Sequence, residues 1–221
     1  MANLPNTLTM LLLSALLPAM VWAQSGAAIE GEGELRALLA MQGDPVRGKA
    51  VFTQCEDCHR KDGSGRSNGI FPRLAGQHAS VIVKQLADIR AGRRINAAMQ
   101  PLVATPILDG SAIVDVAAYV QSLPISAGNG KGPGTGLARG RQLYERDCAA
   151  CHGATGEGDA AKFHPMVAAQ HYRYLLRELV TIRDGERRNS NVEMVKLIKP
   201  YSTGDIEAVS DYMSQLAPPK R

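Results

Sequence analysis

Apolar residues recur three and four positions apart in several stretches of the chain, which is the period of a helix with one buried face. These stretches are about Glu34–Met41, Ala79–Ala91, Ser111–Leu123, His171–Asp184 and Gly204–Leu216. Gly92 and Gly185 follow two of them, as is common where a helix ends. The pattern therefore predicts an all-α protein built from short amphipathic helices.

The second half of the chain repeats the first at an offset of 93 residues. The matched pairs are Gly63 with Gly156, Gly65 with Gly158, Pro72 with Pro165, and Gln77 with Gln170. Further upstream, Arg47-Gly48-Lys49 leads to Phe52 as Arg139-Gly140-Arg141 leads to Tyr144, and the second copy is one residue longer before the cysteine motif. An internal repeat of this length indicates two similar structural units.

Each unit should begin and end with a helix, and the two helices should cross. Phe52 and Tyr119 in the first unit, and Tyr144 and Tyr212 in the second, stand where that crossing would bring two aromatic rings together. We expect a contact between the rings of each pair.

The repeat sets the domain boundaries. We predict one domain over 46–123 and a second over 138–221, joined by a glycine-rich linker, 124–137, whose composition is typical of flexible connections. Residues 24–45 lie outside the repeat, and the sequence assigns them no role.

Residues 1–23 resemble a secretory signal peptide. An apolar run from Leu8 to Trp22 ends in the small-residue cleavage pattern Val21-Trp22-Ala23. The segment before the run has no Lys or Arg, which departs from the usual signal, and an uncleaved membrane anchor is the alternative. The run is short for a membrane span. Export would place the mature chain in the periplasm, with membrane association only through partners or such an anchor.

The formal net charge is +4 over 221 residues. That charge is too small and too evenly spread to form the basic surface of a nucleic-acid-binding protein. No nucleic-acid partner is expected.

All four cysteines belong to two copies of one motif, Cys55-Glu-Asp-Cys58-His59 and Cys148-Ala-Ala-Cys151-His152. Residues i, i+3 and i+4 share one face of a helical turn, so two thiols can form thioethers with one porphyrin while the histidine faces its iron. A zinc site would draw further Cys or His ligands at finger-like spacing, and no cysteine remains for a disulfide. The motifs predict two covalently attached haem c groups, with His59 and His152 as iron ligands.

A sixth iron ligand decides whether such a haem carries electrons or binds small molecules. Met99 lies 40 residues after His59 and Met194 lies 42 after His152, each in a predicted polar loop after a pair of arginines. A thioether favours ferrous iron and raises the reduction potential. We expect Met99 and Met194 to be the sixth ligands, although filling a gap in the core is the usual role of a methionine.

Other residues give weaker signals. Pro72 and Pro165, each 13 residues after its histidine, are expected to accept a hydrogen bond from the imidazole Nδ1 or simply to stiffen a loop. His78, His164 and His171 are expected to be ordinary loop residues. Five arginines, at positions 73, 93, 94, 187 and 188, either hold haem propionates or form solvated basic turns.

Taken together, these motifs resemble the dihaem cytochrome c4 family over about Pro45–Leu216. The resemblance rests on the two cysteine motifs, on 71–77 and 165–170, which run FPRLAGQ and PMVAAQ, and on the two methionines. Arg60, where a glycine commonly follows the histidine, and Ala169, where the first half has Gly76, depart from the pattern. The resemblance implies two tandem class I cytochrome c domains packed with pseudo-two-fold symmetry, each with one His/Met-ligated haem.

The function implied is single-electron transfer without chemistry on a substrate, so the chain is not expected to be an enzyme. The donor would be a respiratory dehydrogenase or a bc1-type complex, and the acceptor a terminal oxidase or another redox protein. One alternative is a permanent, membrane-tethered subunit of an oxidase or dehydrogenase. Another is a dihaem enzyme such as a peroxidase or a thiosulfate dehydrogenase, which would need an open, histidine or cysteine sixth position.

Overall fold

The computed structural model describes residues 32–219, so the predicted signal peptide lies outside the described residues. The helices are 32–39 (α1), Pro45–Phe52 (α2), Glu56–His59 (α3), Ala79–Arg90 (α4), Gln100–Val103 (α5), Gly110–Ser122 (α6), Leu137–Leu143 (α7), Ala149–His152 (α8), Tyr172–Arg183 (α9), Val192–Ile198 (α10) and Thr203–Gln215 (α11). Over 32–219, extended pairing is limited to one isolated bridge between Asp159 and His164. None of these helices is both long and apolar enough to span a membrane. The all-α prediction is confirmed.

Each half is organised around the crossing of its first and last helices, α2 with α6 and α7 with α11. Glycines make the crossings close: a Cβ on Gly48 would lie 2.0 Å from the carbonyl oxygen of Asp115, and one on Gly140 would lie 2.0 Å from that of Ala208. Only a residue without a side chain fits there. The close crossings let the first and last helices of each half pack directly on each other.

Both predicted aromatic contacts are present at these crossings. The ring centroids of Phe52 and Tyr119 are 5.4 Å apart, and those of Tyr144 and Tyr212 are 5.5 Å apart, tilted by 57° and 51°. Phe52 and Tyr144 are fully buried. Tilted rings at this distance are a favourable arrangement that stabilises beyond simple burial.

The extra residue of the second half is absorbed just before its cysteine motif. The first half has a tight 3₁₀ turn at Thr53–Cys55, whereas the second has a wide π turn at Tyr144–Cys148. A π turn adds one residue without breaking the helix. Both motifs therefore enter their short helices, α3 and α8, in the same way.

The two halves are joined by a reciprocal pair of glutamines. Gln77 accepts from the backbone N–H of Met166 and donates to its carbonyl, both at 3.0 Å. Gln170 makes the same two bonds with the backbone of Arg73, both at 2.9 Å. Gln77 and Gln170 are 93 residues apart, as are their backbone partners Arg73 and Met166, so the exchange is pseudo-two-fold symmetric. All four residues are at most 9% exposed.

The next residue in each half, His78 or His171, also crosses the interface. His78 Nε2 lies 2.8 Å from the carbonyl oxygen of Glu157, and His171 Nε2 lies 2.8 Å from that of Ser64. The expectation that these histidines are ordinary loop residues was wrong. They are themselves 93 residues apart, so the repeat already contained the signal for their shared role.

A polar cluster forms a third interdomain contact. Arg94 donates to Glu178 at 3.1 Å, and its repeat partner Arg187 donates to Gln85 at 3.1 Å. Desolvation on burial works to lower the pKa of Arg94, but electrostatic interactions and hydrogen bonds with Tyr174 and Glu178 outweigh it and raise the pKa. These two arginines, considered above for propionates, serve the interface in this structure.

The glycine-rich linker is tied to the second domain despite its composition. The backbone N–H groups of Gly132 and Gly134 donate to Ser214 and Asp211 of α11 at 2.9 and 2.8 Å, and that of Gly130 donates to His171 Nδ1 at 3.0 Å. Glycines allow the backbone to lie this close to the helix: a Cβ on Gly132 would lie 2.4 Å from a carboxylate oxygen of Asp211.

The bonds of His171 predict a pH dependence. Nδ1 accepts from Gly130, so the single proton of the neutral ring lies on Nε2 and is donated to Ser64. Burial, reinforced by the positive charges of Arg73 and Arg60, lowers the pKa of His171 below its ordinary value. Protonation would add a proton at Nδ1, which would then face the backbone N–H of Gly130, and the hydrogen bond between them would be lost.

A lowered pKa means that the unfolded chain binds a proton more readily than the folded one. The stabilisation by His171 is fully present above its unfolded pKa of about 6.5 and is lost as the pH falls towards the folded value. We expect the difference in unfolding free energy between the wild type and His171→Phe to shrink by about 1 kcal/mol from pH 7 to pH 5. Denaturant titrations at both pH values measure it, and an unchanged difference would contradict the assigned tautomer.

Arg60 is held in a backbone conformation that suits glycine. Its φ of 63° and ψ of 159° match the 80° and 159° of Gly153, the residue after the second motif histidine. This region costs a side-chain-bearing residue about 1–3 kcal/mol. Ala169, at φ 52°, likewise stands where the first half has Gly76, at 77°.

Replacing Arg60 by glycine should relieve that strain. After the extra conformational entropy that glycine gives the unfolded chain, Arg60→Gly is expected to stabilise the protein by about 1 kcal/mol. Arg60→Ala, which loses the same charge but keeps a Cβ, is the control and should not gain stability. Equal unfolding free energies for the two variants would show that charge, and not backbone strain, governs this position.

Candidate functional site

In the first domain, the predicted site residues line one cleft. Cys55, Cys58 and His59 reach it from α3 and the turn before it, and Met99 reaches it from the residue preceding α5. The cleft and the solvent at its mouth together span about 490 Å³. Its remaining lining is mainly aliphatic, from Val51, Gln54, Leu86, Leu102, Val103, Leu108 and Val116. A largely apolar cleft with two thiols, an imidazole and a thioether suits a large flat apolar group.

Each motif histidine is held in one orientation by a proline carbonyl. His59 Nδ1 lies 3.0 Å from the carbonyl oxygen of Pro72, and His152 Nδ1 lies 2.9 Å from that of Pro165. A carbonyl only accepts, so Nδ1 carries the proton and Nε2 keeps its lone pair. This is the arrangement that a metal-ligating histidine needs, because the bond at the far nitrogen fixes the ring and increases its basicity.

The first cysteine of each motif, Cys55 or Cys148, is a largely buried thiol. Burial raises the pKa of Cys55 to about 11 and that of Cys148 to about 12. A thiolate–zinc site requires the opposite environment, with thiols that lose their protons readily. Within 32–219, moreover, three or more His, Cys, Asp or Glu side chains nowhere come together as a metal site would require. The environment suits thioether formation better than zinc binding.

The second domain places the first motif cysteine and the predicted methionine ligand against its own core. Cys148 and Met194 both pack against the cluster that contains Leu179, Ile198 and Met213. Met194 lies inside α10, not in the predicted polar loop. Asn191 begins that helix by accepting a hydrogen bond from the backbone N–H of Glu193, whereas Met99 stands just before the shorter α5.

The environments of the two motif histidines differ at one matched position. The ring of Phe71 lies 6.1 Å from that of His59, and the ring of His164, 93 residues later, lies 6.2 Å from that of His152. One site has an apolar neighbour and the other a polar one. Polarity near an iron centre changes its potential, so two distinguishable centres are expected.

Comparisons with known proteins agree with this geometry. A family model described as cytochrome c matches the chain twice, over residues 45–124 and 137–217. A thiosulfate dehydrogenase electron acceptor from Stutzerimonas stutzeri is 35% identical over 83% of this chain and 93% of its own length. Cytochrome c4 from Pseudomonas aeruginosa is 33% identical over 82% of this chain and 93% of its own. The crystal structure of reduced cytochrome c4 from Pseudomonas stutzeri matches with a TM-score of 0.71 at 29% identity, covering 79% of this chain and 99% of that one.

Proposed function

Because the chain belongs to the dihaem cytochrome c4 family, we propose that it shuttles single electrons in the periplasm between a respiratory donor and a terminal oxidase or another redox acceptor. Its class is established: it is an electron-transfer protein that carries two covalently bound haem c groups. We also propose that its two domains span residues 46–123 and 138–221 and that each binds one haem.

Within each domain, we assign a separate role to each site residue. Cys55 and Cys58, like Cys148 and Cys151, attach a haem, and His59 and His152 bind its iron through Nε2. Met99 and Met194 supply the sixth ligand, while Pro72 and Pro165 orient the imidazoles. When bound, haem c supplies an iron that alternates between the ferric and ferrous states. The aliphatic lining of the cleft excludes water and favours the state of lower charge.

One observation carries the choice of a carrier over an enzyme. His59 and Met99 line the same cleft, so an imidazole and a thioether would both be available to an iron held there. A site closed in this way has no position for oxygen or peroxide. A dihaem enzyme would need at least one open site, or a histidine or cysteine in place of methionine.

Among the possible electron donors, one specific observation favours a thiosulfate dehydrogenase. The relative from Stutzerimonas stutzeri, described as the electron acceptor of such an enzyme, is similar along nearly the whole chain. Other dehydrogenases and a bc1-type complex are the remaining candidates. A membrane-tethered subunit would instead keep residues 1–23, so the N-terminus of the protein isolated from cells separates tethered from free forms.

The proposed shuttle role is tested by measuring the rates at which the protein is reduced and reoxidised. The oxidised holoprotein is mixed with a purified thiosulfate dehydrogenase and thiosulfate, and its reduction is followed optically; the reduced protein is then mixed with membranes containing terminal oxidase. Fast reduction and fast reoxidation, both slowed by salt, are the expected results for weak transient docking. If the protein alone oxidised thiosulfate, or if neither partner exchanged electrons with it, the shuttle role would be wrong.

A further inference from the structure

Helix α1, from the segment to which the sequence assigns no role, packs on the first domain. Leu38 is 4% exposed within the first-domain core, and Leu35 packs against it. The fit at the start of α6 is close, because a Cβ on Gly110 would lie 3.1 Å from Leu38 Cδ2. The described part of the extension is therefore built into the domain.

The same helix places a carboxylate on Arg90 of α4. Glu34 Oε1 lies 2.5 Å from Arg90 Nη1, and the two side chains are only 31% and 14% exposed. The other two guanidinium nitrogens donate to backbone carbonyls: Nε to Val103 at 2.7 Å, and Nη2 to Leu108. All three nitrogens are engaged, so the guanidinium has one fixed orientation.

Those two carbonyls belong to the segment that follows Met99. Val103 and Leu108 both line the cleft together with Met99. The backbone N–H groups of Leu102 and Val103 donate to the Met99 carbonyl at 3.0 and 3.2 Å. Arg90 thus holds the segment to α4 at two points, and the position of Met99 depends on where that segment lies.

The second domain lacks this arrangement. Arg183 matches Arg90 at the offset of 93, and Tyr201 matches Leu108, but the bond from Arg183 to the Tyr201 carbonyl is long, at 3.5 Å. Its carboxylate partner is the adjacent Asp184, 43% exposed, where the first domain has Ala91. In the first domain, the carboxylate that pairs with this arginine comes from a separate helix, α1. In the second domain, it comes from the residue that follows the arginine at the end of its own helix.

We propose that Glu34, acting through Arg90, is a positioning residue for Met99 and strengthens the bond between that thioether and the first haem iron. The inference rests on the proposed ligation by Met99. It gives the N-terminal extension a role in the first site alone.

The test uses full-length holoprotein carrying Met194→Ala, so that the ferric near-infrared thioether band reports Met99 only. Imidazole is added, and the concentration that removes half of the band is measured. Glu34→Gln keeps the size of the side chain but removes the charge, and it should lower that concentration about tenfold, because a charge-assisted hydrogen bond becomes a neutral one. Arg90→Lys, which cannot serve three partners at once, should shift it in the same direction.

Glu32→Gln removes the same charge from the same helix and is the matched control, expected to leave the concentration unchanged. In a Met99→Ala background, where the band reports Met194, Glu34→Gln should also have no effect. If Glu34→Gln behaves like Glu32→Gln, or if it weakens both sites equally, the positioning role is wrong. If Met194→Ala alone removes the whole band, Met99 is not a ligand, and the ligand assignment itself has failed.

Discussion

Replacing Met99 by alanine should convert the first site from a closed electron carrier into an open one. The reduced variant should bind one equivalent of carbon monoxide, whereas the wild type should bind none. The ferric variant should lose half of the near-infrared thioether band, and the potential of the first haem should fall, because the thioether stabilises ferrous iron. The effect should be complete, because the other lining residues offer no strong ligand; besides the motif itself and Met99 they are aliphatic except for Gln54.

Two controls make this result specific. Met41→Ala changes a methionine that is 44% exposed and absent from the cleft lining, so it should leave carbon monoxide binding and both potentials unchanged. Met194→Ala should open the second site and leave the first closed. A reduced Met99→Ala protein that still excludes carbon monoxide would mean that another group is the sixth ligand of the first haem.

The helices and their crossings could be predicted from the sequence because they depend on local pattern. Apolar periodicity located α4, α6, α9 and α11 to within one residue at either end. The repeat also paired the aromatic rings, since equal offsets in two copies of one fold mean equal positions. The helical state of Met194 was missed, because α10, with seven residues after its N-cap Asn191, is too short to give a clear periodic signal.

The interface could not be predicted from composition, because it depends on which groups meet across the two domains. Gln77 and Gln170 were matched in the sequence, but nothing local indicates that each side chain bonds to the backbone of the other domain. The glycine content suggested a flexible linker. In the structure, the absence of side chains instead allows the linker backbone to pack closely against α11. The role of Glu34 could not be predicted for the same reason, since its partner Arg90 is 56 residues away in the chain.

The interface also leads to a prediction about the whole molecule. Each glutamine satisfies one N–H and one C=O of the opposite domain in a buried environment. Removing both side chains leaves four buried backbone groups without these partners, at a cost of about 1–3 kcal/mol each unless water enters. The double variant Gln77→Ala/Gln170→Ala should therefore weaken the interface by several kcal/mol, and the domains should separate.

Separation has measurable consequences for electron sharing. In the wild type, we expect a single cooperative unfolding transition and transfer between the haems at a rate independent of protein concentration. In the double variant, we expect two unfolding transitions, a larger radius of gyration in solution scattering, and slower transfer within one molecule, because the haems of two separated domains approach each other only intermittently. Gln142→Ala, on the exposed face of α7, is the control and should change none of these properties. If the double variant still unfolded in one step with an unchanged radius, the remaining contacts, including Arg94 with Glu178 and His171 with Ser64, would be sufficient to hold the domains, and the glutamine pair would not be the main link between them.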